Sequence, residues 1–127
     1  MDFALRYDRW YRRLATVMGL GPKFTKIRVD DGTLHVRNGW AFRLDIPLQH
    51  IKSACLISAR PLTWGVHSTG DEWMVNGSRD GIVKLKLSQP VTSKSIKLQS
   101  STWGEVRCLY LSLEDPDGFV AAVQSHA

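Results

Sequence analysis

Residues 23–47 read KFTKIRVDDGTLHVRNGWAFRLDIP, and their period decides the fold class. Ile27 and Val29 alternate with charged residues, and Leu34 and Val36 alternate with the outward His35 and Arg37. Trp40, Phe42 and Leu44 then alternate with Ala41, Arg43 and Asp45. A period of two builds strands with one dry face and one wet face. Asp31-Gly32 supplies a turn. Asn38-Gly39 is a two-residue hairpin signal, because both central positions need positive φ. The stretch predicts a three-stranded antiparallel meander.

Downstream the pattern stays β. Ile46-Pro47-Leu48 interrupts the ladder, since proline lacks the donor that a central strand needs. Residues 51–58 resume as a strand, and residues 59–71 read as a long loop carrying Arg60, Trp64 and His67. Residues 72–76 and 81–87 look like a second hairpin joined across Gly77-Ser78-Arg79-Asp80, ended by Pro90. A short strand at 95–98 and a last strand at 105–113 complete the sheet. Asp115 is a natural N-cap with Pro116 at the first helical position, where its missing N–H costs nothing. The helix that follows places Phe119, Val120 and Val123 over one end or face of the sheet.

Upstream the period changes to that of a helix. Phe3, Tyr7, Trp10, Tyr11, Leu14, Val17 and Met18 fall on one face, with Arg6, Arg9 and Arg13 along its flank and Asp2 as cap. Gly19-Leu20-Gly21-Pro22 stops it. Leu5 does not fit this face, and a strand entering the sheet is the alternative reading. The division is therefore a basic amphipathic segment at 1–22 and a β-barrel domain with a C-terminal helix at 23–127.

The chain has 127 residues, 43% of them hydrophobic, enough for one domain with a real core. Its net charge of +5 is concentrated at one end. Residues 1–28 hold seven basic and two acidic residues, while the remainder holds ten of each. A basic end on a neutral body points to an anionic partner. No secretory signal or membrane-length apolar run is present, so the expectation is a cytoplasmic protein, peripheral to a membrane if it meets one. Cys55 and Cys108 stand apart and read as reduced thiols.

About seven short strands followed by a helix is the order of a pleckstrin-homology-like barrel. Gly39-Trp40-Ala41-Phe42, Trp64-Gly65-Val66-His67, Trp73-Met74-Val75-Asn76-Gly77-Ser78 and Ser112-Leu113-Glu114-Asp115-Pro116-Asp117-Gly118 carry a resemblance to a group of uncharacterised small bacterial proteins, mainly actinobacterial. Ile46-Pro47-Leu48 and the Glu114-Asp115-Pro116 entry to the last helix are similar, more weakly, to bacterial pleckstrin-homology-like domains. That similarity implies a non-enzymatic interaction or scaffold module, often self-associating. The basic inositol-lipid pocket of eukaryotic relatives is not recognisable.

Two regions are candidates for function. The first is the N-terminal face of Arg6, Arg9, Trp10, Tyr11, Arg12 and Arg13. Aromatics beside arginines fit docking on an anionic membrane surface or a protein partner, and they also fit a helix packed on its own barrel or on a second copy, the plainer reading. The second is Trp64, His67, Trp73, Asn76 and Ser78, where tryptophans could stack on a small ligand and polar groups orient it. A Ser78–His67–Asp71 arrangement can be drawn there, without the turn that exposes a nucleophile. Asp45 and His50 form a further acid–histidine candidate. The histidines lack ligand spacing for a metal, no phosphate-binding glycine loop opens a helix, and no cofactor is implied. Neutrality outside residues 1–28 argues against nucleic acid. The expectation is a non-catalytic binding or scaffold module using the N-terminal face, with a small-ligand protein or enzyme at Trp64–Ser78 as the alternative.

Overall fold

The Asp31-Gly32 turn forms as its chemistry requires. Both residues take positive φ, 49° and 73°, and Asp30 pairs with Thr33 across them. This two-residue loop matches the right-handed twist of the strands it joins. The computed structural model describes residues 2–18, 21, 23, 25–38, 42–57, 65–69, 72–78, 80–92 and 105–124. Among these the chain is mainly β, with two sheets and two helices.

The first sheet has the order β1 (Asp2–Phe3), β2 (Thr25–Asp30), β3 (Thr33–Asn38), β4 (Phe42–Pro47), all antiparallel. Asn38 does not occupy a two-residue turn. It pairs with Phe42 and lies buried, its Nδ2 donating to Thr25 Oγ1 at 3.0 Å. The reason is register. A turn centred on Asn38-Gly39 would set Val36 opposite Ala41 and turn Arg43 and Asp45 toward the core. The observed register instead sets Val36 against Leu44 and Leu34 against Ile46, all buried. The hydrophobic pattern therefore overrides the local turn preference.

A single 3₁₀ turn at Leu48–His50 leads into the second sheet, ordered β5 (Ile51–Leu56), β8 (Ile82–Thr92), β9 (Glu105–Ser112), β7 (Glu72–Asn76), β6 (Gly65–Thr69). Three expectations change here. Part of the expected loop at 59–71 is strand β6, paired with β7. Strands β7 and β8 are not a hairpin: β9 lies between them, parallel to β7 and antiparallel to β8. Val106, Cys108, Leu109 and Leu111 make β9 apolar on both faces, so it takes a central place. Finally, β8 continues past Pro90 to Thr92, with a register shift between Lys86 and Val91 that accommodates a residue without an N–H. The expected strand at 95–98 lies outside the described residues.

The sheets do not close into one continuous barrel ladder among the described residues. They are laced together by the N-terminal segment. After β1, Leu5 bridges Leu113 and Tyr7 bridges Gly77. The N–H groups of Arg6 and Asp8 donate to the carbonyls of Ser112 and Gly77, at 2.9 and 2.7 Å. The expected helix over residues 3–18 is thus shorter, and the alternative of a strand entering the sheet holds for β1: residues 2–8 are extended, and α1 spans Arg9–Val17. Leu5 explains the difference, since it is buried in the core and a helix from Asp2 would strand it.

At the other end, α2 (Pro116–Gln124) begins as its sequence predicts. The Asp115 carboxylate accepts from Gly118 N–H at 3.1 Å, and the Phe119 N–H donates to the Asp115 carbonyl. Phe119 and Val123 are fully buried, and Phe3 meets Phe119 edge to face at 5.3 Å. The core runs from β1 through both sheets to α2.

Candidate functional site

Helix α1 follows directly on the strap formed by residues 2–8. Its N-cap, Asp8, makes no side-chain cap. The Asp8 carboxylate instead accepts from Ser78 Oγ at 2.8 Å, and the same hydroxyl receives the Asp80 N–H at 3.1 Å. Beneath the helix, Tyr11 is buried and stacks on Tyr7, with centroids 6.3 Å apart. Thr25 Oγ1 donates to the Gly21 carbonyl, so the Tyr7 hydroxyl is the donor in its 2.6 Å bond to Thr25. Gly77 must be glycine for this arrangement, because a Cβ there would sit 2.5 Å from the Tyr7 ring and 2.7 Å from the Arg6 carbonyl.

This anchoring divides α1 into three faces. Tyr11 and Ala15 turn inward. Trp10, Leu14, Val17 and Met18 turn outward, 55%, 48%, 84% and 41% exposed. Arg9, Arg12 and Arg13 are exposed as well, and 3.6-residue geometry sets Arg13 about 85°, Arg9 about 125° and Arg12 about 175° around the axis from the centre of the outward apolar stripe. The single aromatic face expected from sequence is therefore split between core and solvent. Arg6 belongs to the strap, its Nε donating to the Leu113 carbonyl at 3.1 Å. Phe3 and Tyr7 pack against the core.

The second candidate region is distributed differently. Trp64 and Asp71 lie outside the described residues, and His67 is placed only as a β6 position paired with Met74. Trp73, Asn76 and Ser78 are buried. Asn76 Nδ2 donates to the Ser78 carbonyl at 3.0 Å, and Ser78 holds Asp8. These polar groups fix the strap to the second sheet.

The Asp45–His50 pair does not form. Asp45 stands directly opposite His35 in the β3–β4 ladder and accepts from its Nδ1 at 2.7 Å. His50 is approached by Gln89, whose amide lies 3.0 Å from Nε2. Sequence separation pointed to the nearer histidine, whereas cross-strand register selects the one ten residues away. Among the described residues no three His, Cys, Asp or Glu side chains gather as a metal site.

Burial raises the phenol pKa of Tyr7 and of Tyr11 above the ordinary value, for Tyr7 against the opposing hydrogen bonds of Thr25 and Asn38. On the second sheet, the Tyr110 hydroxyl donates to Glu72 Oε1 at 2.9 Å, beside Lys84 lying 5.7 Å from its ring centroid. No helix among the described residues is long and apolar enough to cross a membrane. Comparison with known proteins finds no matching family model, no similar curated protein and no similar solved structure.

Proposed function

We propose that this protein is a non-catalytic binding module that docks through α1 on an anionic membrane surface. The observation that carries the reading is the outward stripe of Trp10, Leu14, Val17 and Met18, flanked by Arg13 and Arg9 with Arg12 further round the axis, on a helix whose inward face is locked into the fold. Apolar side chains at headgroup depth with arginines alongside match an interfacial helix. Each arginine near such a surface contributes on the order of 1 kcal/mol.

The placement of the arginines supports this further. Three cations crowd the first half of a nine-residue helix that has no acidic residue in its first turn. This is the end where the helix dipole disfavours positive charge. The Asp8 carboxylate at the N-cap offsets part of that cost, and an external anion would offset more of it. The C-terminal helix seating Phe119 in the core supports a pleckstrin-homology-like reading, in line with the bacterial family resemblance, while the parallel β7–β9 pair departs from it. The cellular location would be the cytoplasmic leaflet.

The test uses exposed positions, so that folding is spared. Leu14→Gln with Val17→Gln, and separately Arg12→Gln with Arg13→Gln, are expected to keep the thermal transition and lose sedimentation with phosphatidylserine vesicles. Retained binding by both folded variants would refute the reading. Concentration-dependent dimerisation abolished by the apolar pair would assign the face to a second copy instead.

A further inference from the structure

The β2–β4 register places three cations in one row. Lys26 stands opposite Arg37, and Arg37 opposite Arg43, so all three project from the same solvent face of the first sheet. Strands about 4.8 Å apart put the three side chains on a base about 10 Å wide. Like charges directly opposed across strands destabilise a sheet, and this row opposes them twice.

The neighbouring carboxylates do not relieve it. Asp45 is engaged by His35 at 2.7 Å, and Asp2 and Asp30 each lie 3.7 Å from Arg28. Among the described residues no carboxylate comes within 4 Å of the charged groups of Lys26, Arg37 or Arg43. The row and the adjacent Arg28–His35–Asp45 row line a depression of about 260 Å³. That volume accommodates a phosphate group with part of its ester.

We propose that this face is a binding site for a phosphomonoester. Two guanidinium forks and one ammonium match the charge and the several acceptor oxygens of a phosphate dianion better than a single carboxylate would. The His35–Asp45 bond, with its proton on Nδ1, fixes the imidazole along the lining of the depression. None of these residues belongs to α1, so this site and the helix can fail independently. The phosphate is either that of a lipid headgroup or that of a soluble ester.

The test is titration of the full chain with glycerol 3-phosphate at low ionic strength, followed by amide and arginine side-chain NMR. The expected result is saturable shifts confined to β2–β4, weakened about tenfold in Arg37→Gln/Arg43→Gln and unchanged in Arg12→Gln/Arg13→Gln. If the double variant does not fold, Lys26→Gln alone is expected to weaken binding severalfold. A second arm, run in the Arg12→Gln/Arg13→Gln background so that α1 does not itself hold the protein on anionic vesicles, compares phosphatidylcholine vesicles with and without phosphatidic acid. Binding to phosphatidic acid much tighter than to the soluble ester, and lost in Arg37→Gln/Arg43→Gln, identifies a headgroup; equal affinities identify a soluble ligand. Absence of saturable shifts, shifts spread over all basic residues, or unaltered affinity in the folded sheet variants would overturn the proposal.

Discussion

At the scale of single residues, the groups that set α1 in place are small, polar and buried. Ser78 is 1% exposed and uses its hydroxyl twice, toward Asp8 and from the Asp80 N–H. Ser78→Ala is expected to destabilise by about 1–3 kcal/mol, because it leaves Asp8 without this donor; urea unfolding measures it. Tyr7 yields a prediction in pH. Its folded-state pKa lies above the ordinary value of 10.0, chiefly through burial. The native state therefore holds a proton that the unfolded chain gives up near pH 10. Stability is intact below that pH and falls as pH rises through the shifted value. Tyr7→Phe is expected to cost about 1 kcal/mol at neutral pH, from the lost bond to Thr25, and to flatten the decline above pH 10 in thermal melts. Neither role was legible in the sequence. Ser78 reads as turn chemistry or as a ligand group, and only the fold brings it to Asp8, seventy residues away.

At the scale of elements, the clearest signals were those in which local and global preferences agree. The Asp31-Gly32 turn, the alternation through β2–β4 and the Asp115-Pro116 start of α2 are each fixed by neighbours in sequence. Where the two conflict, the core prevails: Asn38 leaves its turn so that Val36 can face Leu44. Strand order was less accessible, because inserting β9 between β7 and β8 depends on which strand is apolar on both faces. The N-terminal strap was legible only as the alternative reading, since its aromatics mimic a helical stripe and Leu5 alone, off that face, points to a strand entering the sheet. Asp2 and Phe3 pair with β2, and Leu5 and Tyr7 bridge Leu113 and Gly77, so a chain starting at Arg9 loses Leu5 from the core along with these pairings. Its expected behaviour is a broad, weakly cooperative thermal transition by circular dichroism, against a sharp one for the full chain. A sharp transition at unchanged temperature would show that the strap contributes nothing. Consequently a chain trimmed before Lys23 is no clean control for docking, and substitutions on the outward face of α1 are.

At the scale of the whole molecule, charge and exposed apolar surface meet at one end of the fold. The positive excess noted within residues 1–28 is carried by Arg9, Arg12 and Arg13 of α1 and by Lys23, Lys26 and Arg28 in and just before β2, and the outward stripe lies on that helix. The end was legible in the sequence. Which side chains face outward was not, because Tyr11 and Ala15 had to be subtracted from the stripe by packing. The most direct measurement is co-sedimentation of the full chain with phosphatidylcholine vesicles, with and without 30% phosphatidylserine, at rising salt. Docking through α1 predicts binding to the anionic vesicles only, weakening steeply between low and physiological ionic strength as the arginines are screened. Equal partitioning to both vesicle types, or none to either by the folded protein, would contradict it.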